Sequence, residues 1–281
     1  MKKKLLVLLI LAMFALMLNN SVKADAASGA VSSYIEANQT CYIDIDAQEG
    51  DEKIYVRAKE RKDYLYDYSL YINDKKVKMI KEVQDIVCSV IDIQSGKKGK
   101  EIVFYGFVGG NYIGDSFGIY EYKKGKLKKI GGSKYGYYDV TSGPDIMTDG
   151  NGIVTIKSVA STSIDAGIGS YTQELKLELV KGKLKKKNKK EIEVAYPIGL
   201  DINKNTKIYQ KANNKSVVKK VLKHGDRVEI LKLKFVKMKK TGDKYMPYKP
   251  KTVYAYIQDS KGCNGWIKIQ SNSFQNIQYA G

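Results

Sequence analysis

Residues 207–233 read KIYQKANNKSVVKKVLKHGDRVEILKL, and residues 254–269 read YAYIQDSKGCNGWIKI. Short alternating runs at Ile208-Tyr209, Val217–Leu222, Arg227–Leu233 and Tyr254–Gln258 are separated by the turn clusters Ala-Asn-Asn-Lys-Ser, His-Gly-Asp and Asp-Ser-Lys-Gly-Cys-Asn-Gly. An apolar side chain at every second position gives each run one core-facing side, and Gly, Asn and Asp supply the backbone that tight turns need. Trp266-Ile267 opens a closing strand. The pattern predicts a small β-barrel over residues 200–281.

KSVVKKVLKHGDRVEIL and GCNGWI resemble the bacterial SH3-like (SH3b) family: a strand, a Ser/Asn-rich turn, a valine-rich strand, a Lys-Gly-Asp/Glu type of turn, and a closing G-x-x-G-W. The resemblance covers about residues 200–270 and implies binding to peptidoglycan peptides or other wall components through a groove between loops. It breaks at 235–252, where FVKMKKTGDKYMPYKPKT inserts a basic hairpin that either walls the groove or blocks it. Tyr245 and Tyr248, set among Lys239, Lys240, Lys244, Lys249 and Lys251, are the candidate ligand contacts, because tyrosine gives contact area at low entropy cost. Packing of both rings onto the barrel is the alternative. Trp266 is a further candidate, with a place in the barrel core as its alternative.

Charge separates this unit from the rest of the chain. Residues 200–281 hold 18 Lys/Arg against 5 Asp/Glu, whereas residues 28–180 hold 20 against 22. Such asymmetry points to two domains, the basic one facing a polyanion or carrying a lysine-decorated surface. Only Arg57, Arg61 and Arg227 are arginines. Lysine attracts as a point charge and does not read bases bidentately, so sequence-specific nucleic-acid binding is not expected. The plausible partners are a cell-wall polymer or another extracellular polyanion, with a protein partner for the N-terminal domain as a further expectation.

An extracellular setting is expected from the other end of the chain. Lys2–Lys4 precede an apolar run, Leu5–Leu18, and small residues follow at Val22-Lys23-Ala24 or Ala24-Asp25-Ala26. This is the pattern of a secretory signal peptide over 1–26. The run is shorter than the roughly 20 residues of a membrane span, so no span is expected in the mature chain. The expected location is secreted or cell-wall associated.

Residues 27–190 look internally periodic. KGKLKK occurs at 124–129 and again at 181–186, each time after a Tyr-rich alternating strand and an Asp/Gly-rich turn. CYIDIDAQEGDEKIYV, CSVIDIQSGKKGKEIVFY and YDVTSGPDIMTDGNGIVTI head three units spaced roughly 50 residues apart, a period that suits propeller blades or a related β-array. The fold expected is all-β: a propeller-like or β-array domain of about three degenerate repeats, a linker at 191–199, then the SH3-like barrel. Three repeats are too few for a closed propeller. An open arc, closure by strands from Tyr34–Thr40 or 181–195, pairing with a second copy, or a two-sheet sandwich remain as alternatives.

The turns resemble those of FG-GAP/VCBS-type repeats, in which a D-x-D-x-D-G pattern binds calcium. The resemblance implies Asp44 and Asp46 at the first turn, and Asp145, Asp149 and Asn151 at the third, as metal ligands. The alternative is an aspartate bonding its own turn backbone. Lys97, Lys98 and Lys100 would repel a cation at the second turn. Calcium is therefore the one cofactor in view, and none is required.

Three cysteines, Cys41, Cys88 and Cys263, do not make a disulfide scaffold. A Cys41–Cys88 bridge and a role as small buried hydrophobes are both open. The single histidine, His224, sits in a barrel turn, and no nucleophile pair or multi-His metal set accompanies it. A non-catalytic wall-docking protein is expected. A cryptic wall-active hydrolase in the N-terminal domain and a calcium-dependent adhesion module are the alternatives.

Overall fold

The computed structural model describes residues 31–48, 50–107, 117–132, 142–161, 167–187, 191–242, 248–270 and 272–277. The expected signal peptide, Lys244 and Tyr245 lie outside these residues. The protein is all-β: no helix occurs among the described residues, and all the strand-to-strand pairings are antiparallel.

After β1 (Val31–Tyr34), twelve strands form three successive four-stranded meanders. The first contains β2 (Thr40–Ile43), β3 (Glu52–Glu60), β4 (Tyr66–Ile72) and β5 (Lys75–Val83). The second contains β6 (Asp85–Ile91), β7 (Glu101–Phe107), β8 (Gly118–Lys123) and β9 (Lys126–Gly132), with β1 added beside β6. The third contains β10 (Ser142–Thr148), β11 (Ile153–Ser161), β12 (Ser170–Val180) and β13 (Lys183–Lys186). Each meander ends in a two-residue hairpin, at Asn73-Asp74, Lys124-Gly125 and Lys181-Gly182, with both residues at positive φ. This turn type matches the right-handed twist of the strands it joins, which explains the recurrence of Lys-Gly in KGKLKK.

The second sheet is buried on both faces, so β7 reads as a continuous apolar run in which Ile102, Val103, Phe104 and Tyr105 are all buried. Cys88, Val90, Ile102 and Phe104 share a core with Ile54, Val56, Leu70 and Ile72 of the first sheet. Ile91, Val103, Tyr105 and Ile119 share another with Ile146, Val154, Ile156 and Leu175 of the third. The sheets approach closely at Gly106, where a Cβ would lie 2.8 Å from Val83 Cγ2, and at Gly131, where it would lie 2.8 Å from Leu184 Cδ1. The three sheets are thus stacked in chain order. Of the stretches considered as closing strands, Tyr34–Thr40 pairs with the second sheet at Tyr34 and with the first at Ala37, and 181–195 supplies β13 and part of the next strand.

The last unit comprises β14 (Ile192–Ile202), β15 (Thr206–Tyr209), β16 (Val218–Leu222), β17 (Arg227–Lys240), β18 (Tyr248–Asp259), β19 (Asn264–Ile269) and β20 (Phe274–Gln275). The order β14-β17-β18-β19-β15-β16 curls on itself: Leu200 and Ile202 of β14 and Leu222 of β16 enter one core with Ile230, Ala255, Ile257 and Ile267.

Of the stretch 191–199, expected as a linker, residues 192–199 lie instead within β14. The start of β14 pairs with β12 (Gln173–Val194) on one side and with β17 (Ile192–Leu233) on the other, and its end pairs with β17 (Leu200–Val228) and β20 (Ile202–Phe274). Ile192 and Val194 alternate with Glu193 and are buried, which holds the segment in the sheet. Pro197, which has no N–H for a ladder, falls in the register break between Glu193 and Ile198. One continuous sheet therefore joins the third meander to the barrel-like unit, and Phe235 packs against the cores of both.

Candidate functional site

Two regions bring chemistry-bearing side chains together: the junction of the three Asp/Gly turns, and the basic β17–β18 hairpin.

Ile43-Asp44-Ile45 and Ile91-Asp92-Ile93 leave the first strands of meanders one and two. Glu52 and Glu101 begin the next strands, opposite Ile43 and Ile91. That register returns each carboxylate to its own turn: Ile45 N–H donates to Glu52 Oε2 at 2.9 Å, and Ile93 N–H donates to Glu101 Oε2 at 3.1 Å. Each turn is also tied to the following one. Lys100 N–H reaches the Ile45 carbonyl at 3.4 Å, and Gly152 N–H reaches the Ile93 carbonyl at 2.9 Å. Thr148 Oγ1–H donates to the Asp92 carbonyl at 2.7 Å.

At the first turn the carboxylates of Asp44, Asp46 and Glu52 each place an oxygen within 4.8 Å of the others. One oxygen of each accepts a backbone N–H, from Ala47, Gln48 and Ile45 respectively. Burial, then the neighbouring Asp46 and Asp44, push the Glu52 carboxyl above its ordinary range. Crowded carboxylates with a second oxygen each fit a hard cation, which takes oxygen ligands and would relieve that repulsion.

The third turn is different. Asp145 is exposed on β10 opposite Lys157, four residues before the turn, and Asp149 Oδ1 accepts the N–H groups of Asn151 and Ile153. Asp149 and Asn151 shape the turn, and Asp145 does not join them in a ligand set with Asp149. The second turn has Gln94 where the first has Asp46, and Lys97 Nζ donates to Gln94 Oε1 at 2.8 Å.

A cavity of about 340 Å³ opens at this junction. Asp46 comes to it from the first meander, Gln94, Glu101 and Glu121 from the second, and Leu179 and Lys181 from the third. Glu101 stands directly opposite Glu121 across the β7–β8 ladder. Burial, with Asp92 and Glu121 nearby, pushes the Glu101 carboxyl up to about 7. Glu121 is 3.6 Å from Lys128. Lys98, Lys100, Lys123 and Lys181 line the cavity and form no ion pair among the described residues.

In the hairpin, Lys239 is the direct cross-strand partner of Lys249, and Lys240 is that of Tyr248. Lys237 and Lys251 fall between the pairs Val236–Thr252 and Met238–Pro250. Residues 231–252 hold eight lysines against one aspartate. Trp266 lies on the outer side of β19, opposite Tyr256, and is only 8% exposed. The Tyr256 ring meets it edge-on at 5.2 Å, and Lys234 Nζ lies 5.7 Å from its centroid. The indole is packed, leaving little area for a ligand. At the turn between β18 and β19, the buried carboxylate of Asp259 accepts from Lys220 Nζ and from the N–H groups of Lys261 and Cys263. His224 is exposed, with Nδ1 at 2.9 Å from the Asn203 carbonyl.

Cys41, Cys88 and Cys263 are free thiols. Cys88 is part of the core between the first two sheets and Cys41 packs against it, as small buried hydrophobes do. Burial pushes the Cys41 thiol up to about 11 and raises Cys88 as well, so neither is a ready nucleophile.

Sequence reasoning missed Glu52, Glu101 and Glu121. The signal for the first two is present: aligning the Ile-Asp-Ile turns leaves a glutamate at the head of each following strand, in EKIYV and EIVFY. Comparison of the chain with protein-family models, with curated proteins and with solved structures gives no match.

Proposed function

We propose that this is an exported, non-catalytic binding protein that docks on the anionic cell wall through its basic C-terminal unit, while the stacked β-repeat sheets present a second surface. The observation that carries the reading is the Lys239–Lys249 cross-strand pair. The pair sits in a hairpin with a seven-charge excess of lysine over acid. That local excess would draw a polyanion along the hairpin. Lysine is suited to this diffuse attraction, whereas the packed Trp266 argues against a stacking platform at that position. The second surface is supported by the outer face of the first meander, where the exposed Arg57 lies over the half-buried Tyr71 ring at 5.3 Å.

The test is co-sedimentation of residues 27–281 with purified wall, with and without teichoic acid, over a salt series. A fragment starting at 196 would cut β14, so the whole mature chain is the reagent. Loss of sedimentation in Lys239→Ala/Lys249→Ala would support the reading. Undiminished binding by that variant, or none by the parent, would sink it.

A second reading, a calcium-dependent adhesion module, is favoured by the Asp44, Asp46 and Glu52 cluster. Those residues would hold the ion, which would fix the turn between β2 and β3. A rise in melting temperature on adding calcium, lost in Asp46→Asn, would support it. An unchanged melting temperature at millimolar calcium would exclude it.

A further inference from the structure

The cavity at the turn junction has a built polarity that the wall-docking reading does not use. Its lysines come from three separate segments: Lys98 and Lys100 from the second turn, Lys123 from the end of β8, and Lys181 from the β12–β13 hairpin. None is neutralised by an ion pair among the described residues. Glu101 and Glu121, paired across β7 and β8, supply carboxyl groups, and Asp46 adds a third. Gln94 also lines the cavity, its Oε1 taken by Lys97.

A plain cation would meet four unpaired ammonium groups. A plain inorganic anion would be attracted by them but repelled by three carboxyl groups. The arrangement suits a ligand with an anionic end for the lysines and hydroxyl groups for the carboxyls. Glu101 is poised for the second role, since a carboxyl with one oxygen on the Ile93 N–H can accept from a hydroxyl when ionised and donate to one when protonated. The volume is at the small end of ligand sites, enough for a few-carbon polyol and its charged group.

We propose that this cavity binds a small phosphorylated polyol or sugar phosphate, its phosphate held by Lys98, Lys100, Lys123 and Lys181 and its hydroxyls by Glu101 and Glu121. Lysine supplies the point charge that a phosphate oxygen needs, and the carboxyls discriminate against phosphate without hydroxyls. The proposal rests on the wall reading only for one of two sources of ligand: a repeat unit of an anionic wall polymer, or a free sugar phosphate.

Titration calorimetry of residues 27–281 tests it, with sn-glycerol 3-phosphate, glycerol, inorganic phosphate and glycine as probes. The expected result is binding of glycerol phosphate at least about tenfold tighter than of the other three, a difference of about 1.4 kcal/mol. Lys98→Ala/Lys181→Ala should weaken it by a similar factor, and Glu101→Gln should narrow the preference over inorganic phosphate. Lys239→Ala/Lys249→Ala should leave it unchanged, which separates failure of this site from failure of the hairpin reading. Competition by a poly(glycerol phosphate) oligomer would identify the wall polymer as the source, and monomer binding without competition would identify the free compound. Absence of binding at about 10 mM glycerol phosphate, tighter binding of glycine, or affinity indifferent to the cavity variants would each overturn the proposal.

Discussion

Glu101 and Glu121 face each other across the β7–β8 ladder, two like carboxyl groups on the side of the sheet where Val103 and Ile119 pack toward the third meander. Glu121 has Lys128 at 3.6 Å, whereas Glu101 is mostly buried and accepts the backbone N–H of Ile93.

The pair makes stability depend on pH in a definite direction. The Glu101 carboxyl is raised from 4.5 to about 7, chiefly by burial, so the folded protein binds its proton more tightly than the unfolded chain does. Its contribution is fully present below pH 4.5 and is lost as pH rises through about 7. Glu101→Gln should remove this loss, so that the variant gains on the parent by up to ~3 kcal/mol between acid and neutral pH. Urea unfolding curves from pH 4.5 to 8 measure it, and parallel pH profiles for the two proteins would contradict it.

Gly106 leaves no room for a side chain against Val83. Gly106→Ala should cost about 1–3 kcal/mol by overpacking the seam between the first two sheets. Val83→Ala in the same chain should recover part of that cost, because the clashing methyls are removed. A double-mutant cycle reads the coupling, and strict additivity would show that the seam relaxes elsewhere.

Asp259 fastens the turn between β18 and β19. Burial works against its charge, but Lys220 and the N–H groups of Cys263 and Lys261 outweigh that and hold its carboxyl below the usual range. Asp259→Asn should cost about 2–4 kcal/mol, since charged hydrogen bonds are lost and buried donors are left short of an acceptor. In the parent, this contribution is present above the unfolded pKa and falls away as pH drops through the lowered folded value. Thermal melts of parent and variant should therefore converge toward strongly acid pH.

The Lys239–Lys249 pair separates stability from binding. Lys239→Glu should stabilise the hairpin by about 0.2–1 kcal/mol by creating an opposite-charge cross-strand pair, while reducing wall sedimentation. A variant that gained stability and kept full binding would detach the hairpin from the docking role.

Much of the architecture was legible because it rests on short-range rules. The repeated KGKLKK marks a hairpin whose geometry only a few dipeptides satisfy, and it locates the ends of two meanders. The all-β character follows from the alternation in stretches such as YTQELKLELV. The linker was misjudged because Tyr196-Pro197 looks like a break; whether a proline ends a strand or occupies a bulge depends on distant partners, here β12 and β17. The glutamates of the turn junction were hidden for a related reason. Glu52 and Glu101 are unremarkable first residues of strands until register sets each beside the turn eight or so residues earlier, and Glu121 is an ordinary strand residue until β8 pairs it with Glu101. Asp145 shows the converse: close in sequence to Asp149, it is carried away by the extended backbone of β10.

β14 also has a mechanical meaning. If the C-terminal unit is held by a surface and the N-terminal sheets are pulled, the load does not pass through a slack tether. It runs along a strand bonded to β17 at both ends, with β12 beside its start and β20 beside its close. Antiparallel neighbours pulled lengthwise resist as a set of bonds loaded together, so the two units should yield in a single event. In force spectroscopy the chain should give one rupture peak, without an early, weak extension at residues 191–199.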